Sequence, residues 1–268
     1  MEKRLLVVNL HFAPHRFGGG TVVAEACARA LQEQHGWRVL VLTAIRDFNL
    51  PEYSLRRYRV DGLDVVAVVI NSEPDYITDY SNPRFDLIAR QIVASFQPDV
   101  CHVHALQGLG VGWFDSLKEA RASLAVTLHD CWWLCDRQFM INSDGVYCNQ
   151  SAVSPEQCRY CTVQYDRLLE RRDTLFAAAS SADLLLYPSA FHRDLHVASG
   201  LDPNNSRVNR NGITLPAADF GEKQGARRGG GRDTVFGFTG GPGEIKGAPL
   251  IVQAFEQYQR ENYLLKVV

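Results

Sequence analysis

The residues best suited to chemistry in this 268-residue chain are histidines, glycines and cysteines gathered in a few short stretches. Histidines stand at the ends of Val100-Cys101-His102-Val103-His104 and of Leu124-Ala125-Val126-Thr127-Leu128-His129-Asp130. An imidazole so placed can donate to a sugar hydroxyl or to charge that develops in a reaction. The run Gly18-Gly19-Gly20-Thr21 lies between an apolar stretch and a helical one. Successive glycines let the backbone approach a ligand, and a helix start offers N–H groups to an anion. A single strand-end histidine is more often structural, whereas the glycine run favours a ligand over a bare tight turn. Two histidine-tipped strands together point to a site.

The cysteines form a second group. Cys135, Cys148, Cys158 and Cys161 follow a C-x12-C-x9-C-x2-C spacing within a polar stretch. Two thiolates from the tight turn Cys158-Arg159-Tyr160-Cys161 can share a tetrahedral ion. The metal would supply folding free energy that so few core formers cannot. The expectation is a structural zinc on these four. Buried or free thiols are the alternative, and an iron–sulfur cluster a third. Cys27 and Cys101 fall on a helix and a strand and read as core, with Cys131 as packing or as a substitute ligand.

The elements that must position these residues alternate. Apolar runs at 5–10, 39–43, 100–103, 124–128 and 184–187 read as strands, and 60–70, broken at Asp61-Gly62, as a hairpin or two short strands. Helical spacing covers 22–35, 83–96, 112–120, 164–179 and 190–198. The glycine run reads as the turn before the first of these helices. This alternation predicts an α/β fold with a doubly wound, mostly parallel Rossmann-like sheet, whose ligands sit beyond the carboxyl ends of the strands. After Asn211-Gly212-Ile213 the pattern gives way to a linker at 217–232. A further unit follows, with strands at 235–239 and 263–268 around a helix at 247–259.

Composition narrows the classes. Hydrophobic residues make up 46% and charged residues 22%, with a net charge of −2. That balance predicts an ordinary globular protein with no nucleic-acid partner. The amino-terminal apolar run is short for a secretory signal, and no stretch reaches the ~18 apolar residues of a membrane span. The reading is cytoplasmic, with reduced thiols. The glycine run lacks the G-x-G-x-x-G spacing, and no acid ends the second strand, which disfavours a nicotinamide dehydrogenase.

Taken in order, Phe17-Gly18-Gly19-Gly20, Pro98-Asp99-Val100-Cys101-His102-Val103-His104, Thr127-Leu128-His129-Asp130, Asn211-Gly212-Ile213 and Phe236-Gly237-Phe238-Thr239-Gly240-Gly241-Pro242 leading to Lys246-Gly247 resemble the retaining glycosyltransferases of family four. The resemblance spans nearly the whole chain. It implies a GT-B architecture, in which the first domain mainly holds an acceptor and the second grips a nucleotide sugar. By position, Gly19 and Gly20 would approach the donor phosphate or the acceptor. His129 would donate to the transferred sugar near its reacting carbon, with His104 and Asp130 as acceptor or sugar contacts. Lys246, with Gly240 beside it, would neutralise the departing diphosphate. The resemblance implies no catalytic cofactor or metal, so a fixed cation and a helix start must balance that charge.

The partners implied are a nucleotide-sugar donor and a saccharide or lipid-linked acceptor. The basic runs at 56–59 and 167–172 suggest peripheral membrane contact if they are not simply solvated faces. Trp132 and Trp133 could stack on a sugar ring or form a small core of their own. Gly241 stands where family members often carry an arginine, and the family's paired glutamates would fall beyond Val268. The expectation is a first domain over 1–215 with a cysteine-rich insertion at 131–163. A truncated start of the second Rossmann-like domain would occupy 216–268, so that the chain alone is a poor catalyst. A nucleotide-sugar epimerase and a non-catalytic binding protein are the competing readings. An epimerase would need extra carboxylates for proton transfer.

Overall fold

The computed structural model describes residues 2–162, 164–212, 234–241, 243–258 and 263–267. The linker read over 217–232 lies outside them, as do Ile213 and Pro242. The chain divides into two compact units, Met1–Gly212 and Ile213–Val268.

The first unit opens with β1 (Arg4–Val8), α1 (Gly18–His35) and β2 (Arg38–Ile45), followed by the hairpin β3 (Leu55–Val60) and β4 (Leu63–Val69). Asp61 and Gly62 make the hairpin turn, both with positive φ (50° and 81°), which is why Asp-Gly is favoured there. Next come α2 (Pro83–Phe96), β5 (Val100–Val103), α3 (Asp115–Glu119) and β6 (Ser123–Thr127). The insertion holds a four-residue helix α4 (Pro155–Cys158), and α5 (Tyr165–Ser180), β7 (Leu184–Tyr187), α6 (Ala190–Ala198) and β8 (Ser206–Val208) complete the unit.

The sheet order is β3-β4-β2-β1-β5-β6-β7-β8, and every pairing is parallel except β3 with β4. This is the doubly wound, mostly parallel arrangement expected from the sequence. The winding reverses at β1, so the crevice between the carboxyl ends of β1 and β5 is the topological switch point. Ala24 and Ala28 of α1 pack on Leu5, Val7, Val39 and Val41 on one face. On the other face α2 and α5 pack against Leu6, Val8, Cys101, Val103, Leu124 and Val126. Asn82 caps α2 by accepting from Phe85 N (3.1 Å), and Pro83 follows it. Gly36, with φ 66°, closes α1 in a left-handed C-cap, where a Cβ would be penalised.

Two sequence expectations change. The glycines at 18–20 are the first turn of α1 rather than a preceding loop. The helix read over 112–120 is only five residues long, because Trp113 and Phe114 are buried in turn conformation before it starts.

The second unit contains β9 (Thr234–Phe238), a 3-10 turn at Glu244–Lys246, α7 (Ala248–Gln257) and β10 (Tyr263–Val267). Its strands pair in parallel, Thr234 opposite Tyr263. Phe236 meets Phe255 and Tyr263 edge-on at 5.7 and 5.5 Å. Among the described residues no helix is long and apolar enough to cross a membrane.

Candidate functional site

Side chains alternate across a strand, so one face of β5 and β6 carries Cys101, Val103, Leu124, Val126 and Leu128 into the core. The opposite face carries His102, His104, Thr127 and His129. This polar stripe emerges at the switch point. His102 Nε2 lies 2.8 Å from Thr127 Oγ1, and His104 Nδ1 lies 2.9 Å from His129 Nε2. The His102 and His104 rings are 4.1 Å apart between centroids. The His104 and His129 rings lie 5.2 Å apart with only 15° between their planes. A 2.9 Å N···N contact with that spacing sets the two rings edge to edge along the hydrogen bond, not face over face.

Asn9, one residue past β1 and fully buried, ties this corner together. Its Oδ1 accepts from Ala105 N (3.0 Å) and its Nδ2 donates to Thr21 Oγ1 (3.3 Å), while Thr21 Oγ1 donates to Phe17 O (2.7 Å). The ends of β1 and β5 and the first turn of α1 are therefore fixed to one another. Within that turn, a Cβ added at Gly20 would stand 3.2 Å from His129 Cδ2 and 3.3 Å from its Cγ. Gly20 is small because the imidazole lies against it. Gly19 has nothing within 4 Å, and no side chain caps the helix start, which leaves its turn open to a ligand.

Burial decides the charge state of the stripe. Removal from water, helped by His129, holds His102 down to about 4. His104 is lowered well below its ordinary value by burial and then by His102 and His129. His129 is lowered by burial, against a smaller opposing pull from Asp130. All three are neutral at pH 7 and can serve as hydrogen-bond donors or acceptors, not as fixed cations.

Asp130 stands beside them with its carboxylate engaged. Its Oδ1 accepts from Trp132 N (2.9 Å), its Oδ2 from Gln138 Nε2 (2.6 Å), and its carbonyl oxygen from His192 Nε2 (3.0 Å). Asp130 therefore anchors the insertion to the sheet. Trp132 and Trp133 are 2% and 3% exposed within the main core, so the expectation that they could stack on a sugar is overturned. Trp132 Nε1 donates to Asp79 Oδ2 (2.6 Å), and Arg171, 2% exposed, lies over the indole while pairing with Asp79 at 3.5 Å. The basic run at 167–172 is thus not one solvated face.

The insertion brings Cys135, Cys148, Cys158 and Cys161 to the wall of a single small cavity of about 20 Å³, together with Met140, Gln150 and Val153. Gln150 Nε2 donates to the sulfurs of Cys148 (3.7 Å) and Cys158 (3.8 Å). All seven cysteines are free thiols. Among the described residues, no three His, Cys, Asp or Glu side chains are gathered closely enough to hold an ion as they stand. The four sulfurs share a cavity without closing a tetrahedron.

In the second unit, Gly240 follows β9, and a Cβ there would meet the Phe238 ring at 3.1 Å and Lys246 Cβ at 3.3 Å. Gly240 and Lys246 are thus neighbours, and Lys246 is exposed at the end of its 3-10 turn. A wide groove of about 540 Å³ lies at the opposite end of the first unit's strands, between Arg38, Arg57, Arg59 and Phe96. It is remote from the histidines and at the wrong end of the sheet for the ligand site of such a fold. Sequence reasoning found the histidines and Gly20. It assigned no role to Asn9 or Thr127, whose only signal is a polar residue just after or inside an apolar run, or to His192, which a mixed helical stretch does not single out.

The fold and the crevice at the switch point define a Rossmann-like α/β unit whose strands end in a polar corner there. The profile of Glycosyltransferase Family 4 matches residues 17–215, and the chain belongs to that family. Comparison with curated protein sequences finds no match. Among solved structures, the chain resembles sucrose-phosphate synthase from Thermosynechococcus elongatus, with a TM-score of 0.64, 14% identity, and coverage of 99% of this chain and 62% of that one. It also resembles the structure "trehalose-6-phosphate from E. coli bound with UDP-2-fluoro glucose", with a TM-score of 0.56, 14% identity, and 99% and 64% coverage. HepE from Anabaena in complex with UDP and glucose gives a TM-score of 0.56, 16% identity, and 98% and 60% coverage. The fold is of the GT-B glycosyltransferase type, and the chain spans less than two thirds of the length of these structures.

Proposed function

We propose that the protein transfers a sugar from a nucleoside diphosphate to a saccharide or lipid-linked acceptor with retention of configuration. The observation that carries this reading is the seating of His129 against Gly20 at the switch point, in a chain of Glycosyltransferase Family 4. Structures resembling it were solved with UDP and glucose or with UDP-2-fluoro glucose, and such donors are proposed for this chain as well. His129 donates to the transferred sugar, and the open first turn of α1, at Gly19 and Gly20, meets a donor phosphate or the acceptor. Lys246, supported by Gly240, balances the charge of the leaving diphosphate. As the bond from the anomeric carbon to the diphosphate oxygen breaks, a bond to the acceptor oxygen forms on the same face. The acceptor's proton passes to the departing phosphate, so no protein nucleophile is required.

The epimerase reading draws no support from Asp130, because both carboxylate oxygens already accept hydrogen bonds within the insertion. Incubation with uridine-, guanosine- and adenosine-diphosphate sugars, with and without acceptors, tests the transferase reading. Slow release of nucleoside diphosphate from one donor, lost in His129→Ala, is expected. Donor consumption that yields an isomerised sugar nucleotide, or neither binding nor release with any donor, would overturn it.

We also infer that the four cysteines hold a structural zinc ion, closing around it by side-chain rotation, because three separate stretches bring them to one cavity. Elemental analysis should find one zinc per chain, and a chelator should lower the melting temperature. Purified, folded protein with no bound metal and four titratable thiols would refute this.

A further inference from the structure

We propose that His104 is a positioning residue that fixes the tautomer of His129. Its Nδ1–H donates to His129 Nε2, so His129 carries its own proton on Nδ1 and offers a ligand a donor rather than an acceptor. The inference comes from counting protons across one hydrogen bond. The 2.9 Å contact between His104 Nδ1 and His129 Nε2 holds one proton when both rings are neutral, and a neutral imidazole carries only one N–H. His104 Nε2, at the far side of its ring, is buried and has no partner.

Two placements are open. If His129 donated, the proton of His104 would sit on that buried Nε2, giving an N–H with no acceptor. If His104 donates, the same Nε2 is a bare lone pair. Orphaned buried N–H groups are rarer than under-satisfied acceptors. The chain contains a settled example of the tolerated case. His196 Nδ1 stands 2.8 Å from the carbonyl oxygen of His192, which can only accept, so its proton is on Nδ1. Its buried Nε2 is likewise without a partner.

The geometry makes His104 a rigid donor. It is 2% exposed, its ring lies against His102, and its backbone N–H is bonded to Val8 O at 2.9 Å. The Cδ2–Cγ edge of His129 lies against Gly20. Its Nδ1 has no partner among the described residues. The expected contact of His104 with sugar or acceptor is replaced by an indirect role through His129. What His129 should then meet is an oxygen that accepts, a sugar hydroxyl or a phosphate. That last step rests on the proposed function, whereas the proton placement does not.

The test is a long-range ¹H–¹⁵N spectrum of the histidine-labelled chain at pH 7.5 without substrate, with His129 assigned by the signals lost in His129→Gln. The expected pattern is a protonated Nδ1 and an unprotonated Nε2 on His129. The reverse pattern, or nitrogens averaged between two tautomers, would overturn the proposal. His104→Leu should release His129 into such averaging. His104→Asn, whose amide can donate from near the Nδ1 position, should restore the Nδ1–H form. An unchanged His129 in a folded His104→Leu variant would count against the proposal, and if that variant does not fold, the wild-type spectrum decides alone. With a measurable donor, His104→Leu should lose about tenfold in kcat at nearly unchanged KM, with recovery in His104→Asn. Absence of turnover in the wild-type chain would bear on the proposed function only, since the spectrum needs no substrate.

Discussion

Adjacent glycines in the first turn of α1 give a matched pair of perturbations. Alanine at Gly19 meets nothing within 4 Å, so only the backbone effect remains. Replacing glycine by alanine in helical conformation gains about 0.5–1 kcal/mol. For a unit of this size each kcal/mol moves Tm by about 2–4 °C, so Gly19→Ala should melt about 1–4 °C higher. Gly20→Ala has the same backbone gain, but its Cβ would lie 3.2–3.3 Å from two carbons of the His129 ring. The ring must shift by a few tenths of an ångström, which lengthens the His104–His129 bond. Losing one such bond costs about 1 kcal/mol. Gly20→Ala should therefore melt about 2–4 °C below Gly19→Ala. It should also show a displaced His129 resonance and about tenfold slower donor turnover, since small misplacements near a reacting centre are costly. Calorimetry and histidine NMR on both variants decide this. Equal melting temperatures with an unmoved His129 signal would refute the contact and the argument built on it.

Further outcomes can be measured directly. His102, held to about 4, and His104, His129, His192 and His196, all lowered by burial, bind protons more readily unfolded than folded. Stability should hold above pH 6.5 and fall as pH drops toward 4, by about 1.4 kcal/mol per pH unit for each histidine that stays neutral. Asp86, raised to about 6 by burial, acts in the opposite sense, so urea midpoints are best compared in Asp86→Asn, and a flat profile from pH 7.5 to 4.5 would contradict the burial of the histidines. Arg171→Met leaves Asp79 with only the indole as partner; because Asp79 is 24% exposed, the cost should be about 2–3 kcal/mol by urea unfolding, partly recovered in the double variant with Asp79→Asn. Asn9→Ala strips Ala105 N of its acceptor and should cost about 1–3 kcal/mol, with faster amide exchange at Ala105 as the local sign.

The strands and helices were legible because their periods are strong: β1, β2, β5, β6 and β7 are apolar runs, and the Asp61-Gly62 turn and the Gly36 stop carry their own chemistry. β8 was not, since three residues, Ser206-Arg207-Val208, give no period to read. The glycines at 18–20 read as a loop because glycine is a poor helix former; the close approach of His129 explains at least Gly20. At the site, the sequence placed His129 and His104 at strand ends. Which of them faces outward depends on the layers above and below, and no single strand carries that information. Trp132, Trp133 and Arg171 were misjudged for a related reason. The contacts of Trp132 and Arg171 run to Asp79, 53 residues before Trp132 in the chain, and Trp133 packs beside Trp132 in the same core.

The arginines of β3 have a consequence of a different kind. β3 is a terminal strand of the sheet, so one row of its backbone groups is left for another strand to pair with. Leu55, Arg56, Arg57 and Arg59 all face solvent there. A second copy adding itself edge to edge would have to bring guanidinium groups alongside guanidinium groups, a penalty that discourages runaway sheet extension. At the other terminus, β8 is too short to template much. Among the described residues the sheet thus ends in charge on one side and in brevity on the other, and both features disfavour edge-to-edge addition of a second copy.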